Sequence, residues 1–148
     1  MELEQKYERV WQRMQGQSPA PDHKWISEMI METKYSSAAY LHLSHHFSGK
    51  EGALLRRMFE EEQVHISCLR GIYRLITGER CQVHTNPIVP EEPSIVLRRC
   101  YGREMRCLCA YEAHSGDPEY GPVFSQLTKG EREHCKNILH LMGKLDLK

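Results

Sequence analysis

Two short segments carry the same pair of side chains able to hold a metal ion. Glu62-Gln63-Val64-His65 and Glu131-Arg132-Glu133-His134 both read Glu-x-x-His. On a helix, positions i and i+3 share a face. A carboxylate and an imidazole can then point at one ion, or the carboxylate can bridge two. One such motif has little specificity, because Glu and His are common on solvated helix faces. Here each motif interrupts an apolar stripe. The first stripe reads Met58, Glu62, His65, Leu69, Ile72 and Ile76, and the second Leu127, Glu131, His134, Ile138, Leu141 and Leu145. A buried carboxylate without a partner is very costly, so a metal ion or a strong charge pair is the expected compensation.

Five helices are expected to position these groups, and no strand. The first, α1, covers about residues 2–15, with Leu3, Tyr7, Val10, Trp11 and Met14 at helical spacing. Gly16 and Ser18-Pro19-Ala20-Pro21 end it. The second, α2, runs from about 25 to 47, with Asp22 as N-cap and Ser48-Gly49 as its stop. The third, α3, covers about 51–76 and ends at Thr77-Gly78. Pro87, Pro90 and Pro93 mark a long irregular stretch, sufficient to cross from one end of a bundle to the other. The fourth, α4, covers about 94–114 with Ser94 as N-cap, and Ser115-Gly116-Asp117-Pro118 breaks it. The fifth, α5, covers about 123–145 after Gly121-Pro122. Gly130 inside α5 costs about 1 kcal/mol against Ala, which a close helix contact beside the site would explain. The domain reading is an amphipathic helix and linker at 1–20, then one bundle at 22–148.

The remaining helices offer more ligands. The stripe assigned to α2 reads Trp25, Glu28, Glu32, Tyr35, Ala39, His42 and His46. That of α4 reads Leu97, Tyr101, Glu104, Leu108 and Tyr111. Each has a Glu followed seven residues later by a Tyr, Glu28 with Tyr35 and Glu104 with Tyr111. Two turns apart, the phenol can hydrogen-bond a ligand carboxylate. The order Glu…Tyr…Glu-x-x-His thus occurs twice and reads as an internal duplication. Gly52 and Gly121 lie equally far before His65 and His134.

On these motifs, residues 25–145 resemble the ferritin-like di-iron superfamily, closest in pattern to rubrerythrin and bacterioferritin. The resemblance implies an all-α, antiparallel four-helix bundle with a long crossover between α3 and α4, here with an extra N-terminal helix. It implies Glu28 and Glu104 as terminal carboxylates, Glu62 and Glu131 as bridges, and His65 and His134 capping one metal each. Tyr35 and Tyr111 would be the phenolic donors. Glu32 lies on the same stripe and could replace Glu28 or act as a switchable ligand. The interval from Glu104 to Glu131 is shorter than that from Glu28 to Glu62, so the α4–α5 end is expected to be truncated. The rubrerythrin iron–sulfur module is missing, so electrons would come from an external donor.

Four carboxylates and two imidazoles suit two iron ions, or manganese, better than a structural zinc. The implied chemistry is that of an oxidoreductase reducing hydrogen peroxide or oxidising ferrous iron with peroxide or dioxygen. The competing classes are a non-enzymatic iron-binding, storage or structural bundle, and a dimanganese catalase-like site. A homodimer or larger homo-oligomer is compatible with any of these.

Composition narrows the partners. The 148 residues balance 20 basic against 20 acidic side chains, so charge argues for neither nucleic acid nor an anionic membrane. No stretch reaches the roughly 20 apolar residues of a membrane span. Residues 1–6 contain no apolar signal core, and the expected location is the cytoplasm. None of the six cysteines forms a Cys-x-x-Cys pair. Cys68, Cys100, Cys107 and Cys135 read as buried reduced thiols within helices. Trp11 and Trp25 read as packing residues, and His42, His45 and His46 as exposed or capping histidines near the end of α2.

Overall fold

The computed structural model of the chain describes residues 2–14, 20–84 and 87–146. Among them are five helices and no strand: α1 at Glu2–Met14, α2 at His23–Leu43, α3 at Gly49–Thr77, α4 at Pro93–Ala113 and α5 at Gly121–Leu145. The expected end of α1 at Gly16 and Ser18-Pro19 lies outside the described residues. Asp22 caps α2 as expected, its carboxylate accepting from the Lys24 amide at 2.9 Å. The helix stops at Leu43, and a turn over 44–46 precedes the partly expected stop at Ser48-Gly49. Gly78 closes α3 in the left-handed conformation (φ 75°), its N–H donating to the Arg74 carbonyl. The N-cap of α4 is Glu92, not Ser94: Pro93 occupies the first turn, where its missing N–H costs nothing.

Two apolar clusters fix how α2–α5 run. One joins Ile26 and Ile30 of α2, Leu69 and Ile72 of α3, Tyr111 of α4 and Phe124 and Leu127 of α5. The other joins Tyr40 and Leu43, Leu55 and Met58, Leu97 and Cys100, and Ile138 and Leu141 of the same four helices. The first half of α2 therefore meets the second half of α3, and the second half of α4 meets the first half of α5. Each pair is an antiparallel hairpin, α2 on α3 and α4 on α5, and the hairpins meet through α2·α4 and α3·α5. By the same criterion α3 and α4 run parallel, so the connection between them spans the bundle: among its described residues Cys81 and Val83 pack against the first cluster and Ile88 against the second.

Between the clusters lies a polar layer halfway along all four helices. The clusters supply the apolar burial that drives folding, and the layer between them holds the candidate ligands.

The first helix stands apart. None of its residues is buried, and its stripe of Leu3, Tyr7, Trp11 and Met14 is exposed. Trp11 is thus not a packing residue here, whereas Trp25 stacks on His114 at 3.9 Å between ring centroids. Arg13 ties α1 to the bundle through Asp117, with both side chains largely buried. Among the described residues no helix is long and apolar enough to cross a membrane.

Candidate metal centre

The Glu-x-x-His reading places its groups where the stripes said. Glu62 on α3, Glu104 on α4, and Glu131 and His134 on α5 are all buried. One potential ligand atom from each lies within 4.8 Å of all the others. His134 Nδ1 is 2.6 Å from Glu62 Oε1, 3.4 Å from Glu104 Oε2 and 3.9 Å from Glu131 Oε2. His65 Nδ1 is 2.7 Å from Glu131 Oε1 and 3.6 Å from Glu62 Oε1. The His65 side chain is 13 % exposed, against 1 % for His134, so it forms the edge of the group nearest solvent.

Apart from the hydrogen bond between His65 Nδ1 and Glu131 Oε1, these atoms converge without completing hydrogen bonds. Both oxygens of Glu62, one each of Glu104 and Glu131, and both ring nitrogens of His134 are buried with no hydrogen-bond partner. Buried polar atoms are otherwise nearly always satisfied. Several acceptors pointed at one volume are costly to one another and favourable to a cation. Burial alone would lower the His134 pKa, but Glu104, Glu61 and Glu62 outweigh it and push the imidazole up to about 12. A proton on His134 thus serves as the cation of the metal-free protein.

On α2 the structure corrects the expected stripe. Glu28 is exposed and does not join the group, and the buried face instead carries Ile26, Met29, Ile30, Thr33, Ser36, Ser37 and Tyr40. Glu32 is half-buried and ion-paired with Arg103 and Arg106 on the outer side. Tyr35 is half-buried beneath Arg103, whose guanidinium lies 3.8 Å from its ring centroid. The error is one of rotation. Successive helix positions turn by about 100°, and Glu28 and Tyr35 line a polar seam beside the true core face. Buried Thr33 and Tyr40 are seven residues apart, like Glu104 and Tyr111.

The corrected register makes the duplication tighter. Tyr40 and Tyr111 are both fully buried, with hydroxyls that complete no hydrogen bond of normal geometry. Tyr40 faces Glu104, and Tyr111 faces Thr33. Burial, reinforced by nearby acidic groups, holds both phenols well above their ordinary pKa. The interval from Thr33 to Glu62 nearly equals that from Glu104 to Glu131, so the expected truncation of the α4–α5 end disappears. Gly52 and Gly121 also match in place: a Cβ at either would run into a carbonyl oxygen of the preceding turn, Phe47 or Ser115.

The copies differ at two places. Thr33 stands where Glu104 stands in the other half. Glu61 sits 3.6 Å from His134 Nε2, and the closeness of that imidazole holds the Glu61 pKa low. The counterpart of Glu61 is Gly130. A Cβ there would come within 2.7 Å of His65 Cε1 and 2.8 Å of Nε2, which is the close contact that explains a glycine inside α5. Sequence reasoning missed Thr33, Tyr40 and Glu61. Aligning the α2 and α4 tyrosines through Ile26 with Leu97 would have exposed the first two.

Of the cysteines expected to be buried, Cys100, Cys107 and Cys135 are, but Cys68 is exposed on the outer face of α3. His45 and His46 are exposed, as expected, and His42 is half-buried against His46. No protein-family model matches this sequence, and no curated protein or solved structure matches it either.

Proposed function

We propose that this chain is a ferritin-like di-iron carboxylate protein that reduces hydrogen peroxide or oxidises ferrous iron at its central polar layer. The observation that carries the reading is the buried convergence of Glu62, Glu104, Glu131 and His134, with six of their polar atoms lacking a hydrogen-bond partner. His65 extends the group by a second imidazole. Glu62 and Glu131 each approach both histidines, which is what bridging carboxylates require. The donor set is oxygen and nitrogen with no thiolate, which suits iron or manganese.

Two ferrous ions would supply one electron each, so that hydrogen peroxide, two protons and two electrons give two water molecules. The chain's own residues do the rest. Glu61 orients the His134 ring through Nε2, leaving Nδ1 for the ion. Tyr40 and Tyr111 remain protonated, and their hydroxyls are hydrogen-bond donors beside the carboxylates. The two apolar clusters exclude bulk water from both ends. An external donor must restore the electrons.

The test is elemental analysis after anaerobic reconstitution with ferrous iron, followed by stopped-flow addition of peroxide. About two irons per chain are expected, with oxidation of both per peroxide consumed. Glu62→Ala and His134→Ala should abolish both. Preferential uptake of manganese with dismutation of peroxide would move the assignment to catalase-like chemistry. Failure to bind any metal would refute it.

A further inference from the structure

The two halves of the polar layer are not equivalent. On the Glu104 side, the buried tyrosine, Tyr40, faces a carboxylate able to accept its hydrogen bond. On the other side Tyr111 faces Thr33, while Glu62 and Glu104 act on it by charge alone. The Thr33 hydroxyl donates to the Met29 carbonyl at 2.7 Å, and its oxygen, a neutral acceptor, cannot neutralise a cation as a carboxylate does. The Tyr111 hydroxyl completes no hydrogen bond, so it is a buried donor with no carboxylate opposite it where, by the symmetry of the duplication, Tyr40 has Glu104. Its histidine also lacks a carboxylate at Nε2, since Gly130 stands where Glu61 approaches His134.

Charge points the same way. Glu62, Glu104, Glu131 and, 3.6 Å from His134, Glu61 bring four carboxylates to a place where two divalent ions bring four positive charges. Both terminal carboxylates, Glu104 and Glu61, stand on the His134 side, so the other ion is left short of negative charge unless a monoanion joins it, and an uncompensated buried charge is costly. Of the candidate ligands His65 is the most open to solvent, its side chain 13 % exposed, and the symmetry of the repeat pairs it with Thr33 as His134 pairs with Glu104.

Resting on the two-metal reading, we propose that the Glu104–His134 half binds its ion tightly with protein ligands. The Thr33–His65 half binds more weakly and keeps a coordination place for a small monoanion, to which the Tyr111 hydroxyl donates. The anion of hydrogen peroxide belongs to that class, so substrate would enter on the Thr33 side.

Cobalt(II) tests this without redox chemistry, since it accepts the same donors and reports by visible absorption. Calorimetric titration of the metal-free protein should show two steps at least about tenfold apart, as expected when one site lacks a ligand. Glu104→Gln should remove the tight step and His65→Ala the weak one. Azide added to the loaded protein should change the spectrum at one ion. Thr33→Glu should bring the two steps together and weaken azide about tenfold or more. Tyr111→Phe should weaken azide without altering stoichiometry. Thr33→Val, of equal size, should keep the separation, which guards against a Thr33→Glu variant that merely misfolds. Two equal steps, or azide affinity indifferent to both Thr33→Glu and Tyr111→Phe, would overturn the asymmetry while leaving two metals in place. Absence of metal binding would overturn the two-metal reading and the asymmetry with it.

Discussion

Replacing Glu104 by glutamine keeps the shape of the side chain and removes one buried charge. Its effect should change sign with metal. Without a cation, Glu104 faces two other carboxylates whose ligand atoms lie no more than 4.8 Å away. At an effective dielectric of about 20, each such pair repels by about 3.5 kcal/mol. Against this, His134 Nδ1 at 3.4 Å attracts by about 5 kcal/mol on the same scale. The repulsions win by about 2 kcal/mol, so the metal-free variant should be more stable than the metal-free parent. For a chain of this length that is about 4–8 °C in Tm. With free metal a thousandfold above Kd, the parent gains about 4 kcal/mol, and a variant whose affinity has fallen about as far gains almost nothing. The order then reverses. Thermal melts in EDTA and in excess cobalt(II) read both states. A Glu104→Gln variant that melts below the parent in EDTA would refute the reasoning, because the cluster would then be a hydrogen-bonded structural network that glutamine breaks.

Gly130→Ala should separate fold from site in another way: helix propensity favours Ala by about 1 kcal/mol, while the added methyl displaces the His65 ring. The metal-free Tm should hold or rise slightly as metal stoichiometry falls toward one per chain; two metals bound as in the parent would show that His65 is not a ligand. Asp117 supplies a pH dependence, because burial would raise its pKa but Arg13 and the amides of Tyr120 and Glu119 more than reverse this and hold it below 3.8. A depressed carboxylate contributes stability above its unfolded value and loses it as pH falls through the folded one. Acid titration below about pH 4 should therefore free α1, seen as a shift of the Trp11 indole resonance while the bundle stays folded; a Trp11 signal that moves only with global unfolding would contradict this.

What the sequence revealed and what it hid follow from the same geometry. On α3 and α5 the candidate ligands stand in stripes whose other members are Met, Leu and Ile, so the buried face is legible in the sequence: Glu62, Glu131 and His134 lie buried on it and His65 at its edge. On α2 the contrast fails. Its core face holds Thr33, Ser36, Ser37 and Tyr40 beside Ile26, Ile30 and Ala39, while the seam beside it holds Trp25 and Tyr35, whose aromatic rings read as core in a face diluted by hydroxyl residues. Small hydroxyl residues are buried there because α2 passes beside the polar layer and their protons can be absorbed by their own helix, as that of Thr33 is by the Met29 carbonyl. Periodicity weighs hydrophobicity and cannot see that exchange.

The internal repeat sets the register only when its core residues are matched. A match of Glu with Glu passes over the position where the copies diverge. Matching the core residues instead, Ile26 with Leu97 and Tyr40 with Tyr111, sets Thr33 opposite Glu104 without reference to chemistry. A duplicated metal site needs both copies of its bridging carboxylates, because each bridge serves both ions. It needs only one full set of terminal ligands if the other ion is to meet a substrate. On the two-metal reading proposed above, the divergence at Thr33 and at Gly130 falls on terminal positions of one half alone, and Glu62 and Glu131, the proposed bridges, are untouched. Random loss would have no cause to respect that boundary, whereas a site that holds one ion and presents the other would.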